Sequence, residues 1–199
     1  MEWNHFLSKL LALSKVGLKF SKDPYALENY QELHDLVILQ SEEVDQKIDS
    51  IKLYPKDAYP TPNVSVRVII FNDKKELLMV KERSDEKYAV PGGWCDVFES
   101  ARENAIKEVK QETNLDVSLV RLLGVLQRDL YKPKPSMVSE YVLYFLAKVE
   151  GGSLAYNHEL MDIGYFALDA LPPLSFKSTE IELRRMLDVA INGKDVDFD

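Results

Sequence analysis

One cysteine, Cys95, stands in 199 residues. That excludes an internal disulfide and any zinc site built from several thiolates. No apolar run approaches the roughly 18 residues of a membrane span, so no membrane partner is expected. The amino-terminal run MEWNHFLSKLLALSK carries an early Glu2 and mixes charges into its apolar stretch. It is therefore not a good secretory signal, and a cytoplasmic protein is the expectation. Positive charge is in deficit: 25 Lys and Arg against 33 Asp and Glu give a formal net charge of −8. DNA or another long polyanion is not an expected partner, because Lys and Arg contacts to phosphates drive non-specific nucleic-acid affinity. An acidic chain can still bind a small anion when a divalent metal sits between them. A Gly-rich P-loop, a Ser-His-Asp pattern, a helix-turn-helix, internal repeats and low-complexity tracts are all absent from the sequence.

What is present is an ordinary globular composition, 46% apolar and 29% charged, long enough for one domain or one domain with an extension. The spacing of Trp3, Phe6, Leu7, Leu10 and Leu11 predicts an amphipathic helix ending near Gly17. Asp23-Pro24 reads as an N-cap followed by proline at the first helical position, opening a second helix with Leu27, Tyr30, Leu33 and Val37 on its stripe. Two such stripes must pack on each other and on a further surface, the rest of the chain or a second copy, and a homodimer through this segment is the expectation. Three prolines in residues 54–62 predict an extended linker. The expected division is a helical domain at 1–58 and a second domain at 63–199.

Beyond the linker the pattern changes to strands. Residues 64–71 and 77–81, joined by the polar turn Asn72–Glu76, predict a hairpin. Further strands are expected at Leu122–Gln127, Glu140–Val149 and Ile163–Phe166, with a turn at Gly151-Gly152. Ser100 with Glu103 forms a capping box that starts a helix running to Thr113, with Ala101, Ala105 and Val109 toward the sheet. A last helix, Ser178–Ile191, is expected to bury Ile181, Leu183, Met186, Leu187 and Ala190 before Asn192-Gly193 ends it.

Chemistry concentrates in PGGWCDVFESARENAIKEVKQETNL, residues 91–115. Gly92-Gly93 permits a tight bend whose carbonyls become hard oxygen ligands. Glu108 and Glu112 lie one helical turn apart on one face, bordered by Gln111. Like charges so placed cost about 0.2–0.5 kcal/mol in a bare helix, and a divalent cation between them reverses the sign. Magnesium takes one or two carboxylates and keeps waters or phosphate oxygens for the rest of its shell.

This stretch resembles the Nudix box: Gly, five residues, Glu, seven residues, Arg-Glu, an aliphatic, any residue, Glu-Glu, any residue, Gly, aliphatic. Gly93, Glu99, Glu108, Val109, Glu112 and Leu115 match, while Lys107 replaces Arg, Gln111 replaces the first Glu of the pair and Asn114 replaces Gly. VRVIIF, ELLMVKE, YVLYFLAKVEGG and IGYFALDALPPLS extend the likeness, and GLKFSKDPYALENYQEL resembles the helical leader of a subgroup acting on nucleoside diphosphates linked to another moiety.

The resemblance implies an α+β Nudix fold, a mixed sheet sandwiched between helices, with a small N-terminal helical domain. It implies hydrolysis of the phosphoanhydride in a CDP-choline or ADP-ribose class substrate, giving a nucleoside monophosphate and phospho-X. Glu108, Glu112 and the Gly92 carbonyl would hold Mg²⁺, with Mn²⁺ as the alternative. Gly93 would shape the loop, and Glu99 would orient it through Lys107, which lacks the bidentate fork of Arg. Glu159 is the candidate general base, ahead of Glu140 and His158. Arg67 and Arg128 are candidates for binding the small nucleotide substrate. The loss of charge at Gln111 keeps a second reading open, a nucleotide-sensing module with weakened catalysis.

Overall fold

The computed structural model describes residues 3–44, 59–96, 98–133 and 137–199. They fall into two compact units: one runs to Asn63 and includes Pro133–Ser139, the other comprises Val64–Lys132 and Glu140–Asp199. The expected linker lies outside the described residues as far as residue 58.

In the first unit, α1 (Trp3–Phe20) packs on α2 (Pro24–Val44). Leu7, Leu11 and Val37 are buried there, with Leu10, Leu33 and Met137 against them. Asp23 caps α2, its Oδ1 accepting from Ala26 N at 2.9 Å. The expected end of α1 at Gly17 is corrected: the helix continues to Phe20. A Cβ at Gly17 would lie 2.3 Å from the Tyr30 ring, so glycine serves the close approach of two helices and not a C-cap. No helix among the described residues is long and apolar enough to cross a membrane.

The described residues of the second unit hold two sheets, two α-helices and a short 3-10 helix, Arg128–Leu130. The strands are β1 (Asn63–Ile70), β2 (Leu77–Glu82), β3 (Tyr88–Ala89), β4 (Leu115–Gln127), β5 (Glu140–Gly152), β6 (Leu160–Phe166) and β7 (Asp197–Phe198). One sheet has the order β1-β5-β4-β7 and the other β3-β2-β6. β4 pairs antiparallel with β5 and parallel with β7, so the larger sheet is mixed. The helices are α3 (Ala101–Thr113) and α4 (Glu180–Asn192).

Alternation along β1 explains the layering. Val66, Val68 and Ile70 join Ala105 and Val109 of α3 in one core, while Ile69 joins Leu183, Met186 and Leu187 of α4 in the other. Successive strand residues point to opposite faces, so an almost unbroken apolar strand serves both layers.

Three further expectations are corrected. β1 and β2 do not form a hairpin: they meet at a single bridge, Phe71 to Leu77, and enter different sheets. The Asn72 side chain forms the turn between them, its Oδ1 accepting from Lys74 N and Glu76 N. Gly151-Gly152 is not a turn after β5 but its last pairs, opposite Asp116 and Leu115. Gly152 has φ +90°, and a Cβ there would lie 2.5 Å from Asn114 O. Ile181 is 65% exposed, because α4 turns Leu183, Met186, Leu187 and Val189 inward.

Candidate active site

The chain leaves β3 and bends at Gly92-Gly93 while tied to β1. Val68 N donates to Pro91 O and Val66 N to Gly93 O, each at 2.9 Å. The Gly92 carbonyl between them accepts from Arg67 Nη1, which also reaches Val90 O at 3.4 Å. Gly92 has φ +140°, and a Cβ there would lie 2.1 Å from Val66 O. Backbone shape and space both demand glycine.

The helix α3 brings two carboxylates to this bend. Its start is fixed by the Ser100 capping box and its end by Asn114 in the left-handed region, φ 59°. Glu112 Oε2 accepts from Gly92 N at 2.8 Å. Glu108 lies against Gly93, where a Cβ would come within 2.6 Å of Oε1. The glycine pair therefore leaves room for both acids.

Burial pushes the Glu112 carboxyl up to about 7; Glu108 and Glu82 add to the shift, and Arg67 and the Gly92 N–H oppose it. Burial also raises Glu108, with Arg67 and Lys107 opposing and Glu159 and Asp96 adding. Arg67 is buried and its own pKa is lowered, by burial first and by Arg128 next. Glu82 Oε1 and Arg67 Nε are buried without a hydrogen-bond partner. Lys177 answers Glu82 and Lys107 eases Glu108, but Arg67 and the Gly92 N–H do not offset the burial of Glu112.

That imbalance suits a divalent cation. No group of three or more His, Cys, Asp or Glu side chains among the described residues is arranged to hold a metal. The donors on offer are two carboxylates and the Gly92 carbonyl. This is a hard-oxygen set that fits Mg²⁺ chemistry, with the carbonyl also accepting from Arg67.

The loop before α3 is stapled to the helix. Lys107 Nζ pairs with Glu99 Oε2 and with Asp96 Oδ2 at 2.5 Å. Asn104, fully buried, accepts from Asp96 N at 2.8 Å and donates to Ser100 O at 3.0 Å. A single ammonium with two carboxylates thus stands where the box has Arg. Asp96 and Asn104 were not among the sequence candidates, although both lie within the motif. Gln111 is exposed on α3.

Glu159 is exposed and lines a cleft of about 480 Å³ together with Glu112, Glu82, Arg83, Leu160, Phe176 and Lys177. Its turn is built: Glu159 N donates to Asn157 Oδ1 at 2.9 Å. Arg83 brackets it, Nε donating to His158 O at 3.1 Å and Nη2 to Leu160 O at 3.0 Å. His158 points into solvent, its side chain 90% exposed.

Arg128 and Glu140 are committed to each other. Arg128 Nη1 donates to Glu140 Oε1 at 2.7 Å, and Ser65 Oγ donates to the same oxygen at 2.6 Å. Both are buried, so the cation and the acid largely neutralise each other. Sequence reasoning missed Glu82, Arg83 and Lys177, which reach the cleft through pairings between distant segments.

Comparison with known proteins follows the same lines. A family model described as the NUDIX domain matches residues 61–187. A protein of Bacillus subtilis (strain 168), provisionally named an ADP-ribose pyrophosphatase, is 31% identical over 191 residues, covering 94% of this chain and 91% of its own. A crystal structure of a UDP-X diphosphatase superposes with TM-score 0.66 at 29% identity, over 98% of this chain and 96% of that one. A crystal structure of an ADP-ribose pyrophosphatase from Streptococcus suis 89-1591 superposes with TM-score 0.62 at 34% identity, over 70% of this chain and 100% of that one.

Proposed function

The chain belongs to the Nudix hydrolase family, and we propose that this Nudix pyrophosphatase hydrolyses a nucleoside diphosphate linked to a second moiety, with ADP-ribose as the leading substrate. The observation that carries the proposal is the buried Glu112 carboxylate, seated on the Gly92 N–H beside Glu108 at a bend of bare backbone. The relatives' names support the substrate class, since one is an ADP-ribose pyrophosphatase and another a UDP-X diphosphatase.

Glu108, Glu112 and the Gly92 carbonyl would hold Mg²⁺, with Mn²⁺ as the alternative. A bound divalent cation neutralises the diphosphate oxygens that otherwise repel a nucleophile and stabilises the leaving phosphate. Arg67 favours the ionised form of both acids, and so readies them to bind a cation. Glu99, through Lys107, keeps its part of the preceding loop against α3. Glu159 accepts a proton from the attacking water. The water oxygen bonds to one phosphorus as the bond from that phosphorus to the bridging oxygen breaks. The products are a nucleoside monophosphate and phospho-X. Of the two candidate arginines, Arg67 lies at this site but is buried with its Nη1 on the Gly92 and Val90 carbonyls, so it acts on the acids rather than on substrate, and the charge of Arg128 is answered by Glu140.

The helical unit is proposed to carry a homodimer contact, because Trp3, Phe6, Leu13, Leu36 and Leu39 are exposed on it.

The test is a substrate panel: purified protein with Mg²⁺ and ADP-ribose, a UDP-sugar, CDP-choline or a nucleoside triphosphate, products separated by chromatography. Equimolar AMP and ribose 5-phosphate from ADP-ribose is the expected result. Tight binding of ADP-ribose without products would favour the sensing module instead, the reading that the neutral Gln111 keeps open.

A further inference from the structure

The cleft beside Glu112 has an acidic wall, and a diphosphate needs cations there. Among the lining residues the cations are Arg83 and Lys177. Arg83 spends its Nε and Nη2 on the backbone carbonyls of His158 and Leu160. Lys177 Nζ donates to Glu82 Oε2 at 2.6 Å, with its side chain 35% exposed. An ammonium has three donors, so two remain beyond the one given to Glu82, on a side chain that lines the cleft.

The placement of Lys177 is built rather than incidental. Asp85 Oδ2 accepts from Ser175 Oγ at 2.8 Å and from Phe176 N at 3.2 Å, and Lys177 N donates to Ser175 Oγ at 3.2 Å. The carboxylate beneath the ammonium is itself buried, and its Oε1 has no partner. A long flexible side chain is thus held at one point beside the carboxylate proposed to bind metal, which lowers the ordering cost of binding.

We propose that Lys177, seated on Glu82, holds one phosphoryl group of the substrate in this cleft. This rests on the diphosphate reading above and adds the residue that receives one of its two phosphates. A compact ammonium binds phosphate oxygen as a point charge. Glu82 acts through Lys177 and is a positioning residue.

The test uses the two products of ADP-ribose hydrolysis as separate probes. AMP and ribose 5-phosphate are titrated calorimetrically, with Mg²⁺, into the wild-type chain and into Lys177→Met and Lys177→Arg, with adenosine as the phosphate-free control. Lys177→Met is expected to weaken one of the two phosphomonoesters about tenfold or more, the scale of a hydrogen bond to a charged group. Lys177→Arg should recover most of that loss, and adenosine should be unaffected. Which product responds identifies which phosphate Lys177 holds. Unchanged affinity for both, or an equal loss for adenosine, overturns the proposal and leaves Lys177 as a staple of the loop to β2.

A second measurement needs no variant. ADP-ribose, AMP or ribose 5-phosphate with Mg²⁺ should protect the Lys177 amine from acylation in the wild-type chain, read by peptide mass. Protection by none of them also overturns the proposal. Lack of ADP-ribose turnover would count against the hydrolase reading alone, because binding and protection are read without catalysis.

Discussion

At the level of single residues, the cost of burying charge governs behaviour. Glu112 has a folded-state pKa of about 7, above its ordinary 4.5. Between those values the folded chain binds more protons than the unfolded one, so stability falls as pH rises through that window. Metal-free protein should therefore lose on the order of 1–3 kcal/mol between pH 4.5 and 7 relative to Glu112→Gln, checked by urea unfolding in EDTA at several pH values. Mg²⁺ needs the ionised acid, so its affinity should rise over the same window and level off above pH 7. Glu159→Gln should lower kcat roughly 10²–10⁴-fold, the scale of a general base, with little change in Mg²⁺ affinity by titration. Helix periodicity places Glu108 and Glu112 on one face, and their positions in the box are what mark them as candidates in the sequence. Asp96 was not, because the one ammonium of Lys107 answers two carboxylates only after the loop folds back. Lys177 was not either: its partner Glu82 is distant in the chain, and nothing local marks the pair.

Among the elements, α3 is the part most completely written in local sequence. Ser100 and Glu103 fix its start, Asn114 ends it in the left-handed region where the box has Gly, and Ala105 and Val109 are buried as the stripe predicts. Ser100→Ala should cost about 1 kcal/mol of stability in denaturant unfolding, and α3 would loosen from the end joined to the loop that Lys107 staples. The strands were less legible. β1 and β2 are buried along most of their length and carry apolar residues on both faces, so alternation gives no hint that they enter different sheets. Gly17 and Gly152 resemble stop signals, yet one makes room for the Tyr30 ring and the other for Asn114 O. A glycine's reason lies in whatever approaches it, which a single sequence does not carry.

For the molecule as a whole, the α+β architecture and the Nudix match agree with what the box implied. The helical segment was legible as helices, while the contribution of Pro133–Ser139 to that unit was not, since it joins from far along the chain. The exposed apolar side chains on that unit lead to an expected sedimentation mass of two chains at micromolar concentration. A single species at monomer mass would refute the dimer and leave the hydrolase intact. Catalysis as proposed turns on a cation held by Glu108, Glu112 and the Gly92 carbonyl, which anomalous diffraction from crystals soaked in Mn²⁺ would locate. An anomalous peak bounded by those three groups is expected. A map with no peak there, and both carboxylates turned to solvent, would contradict it.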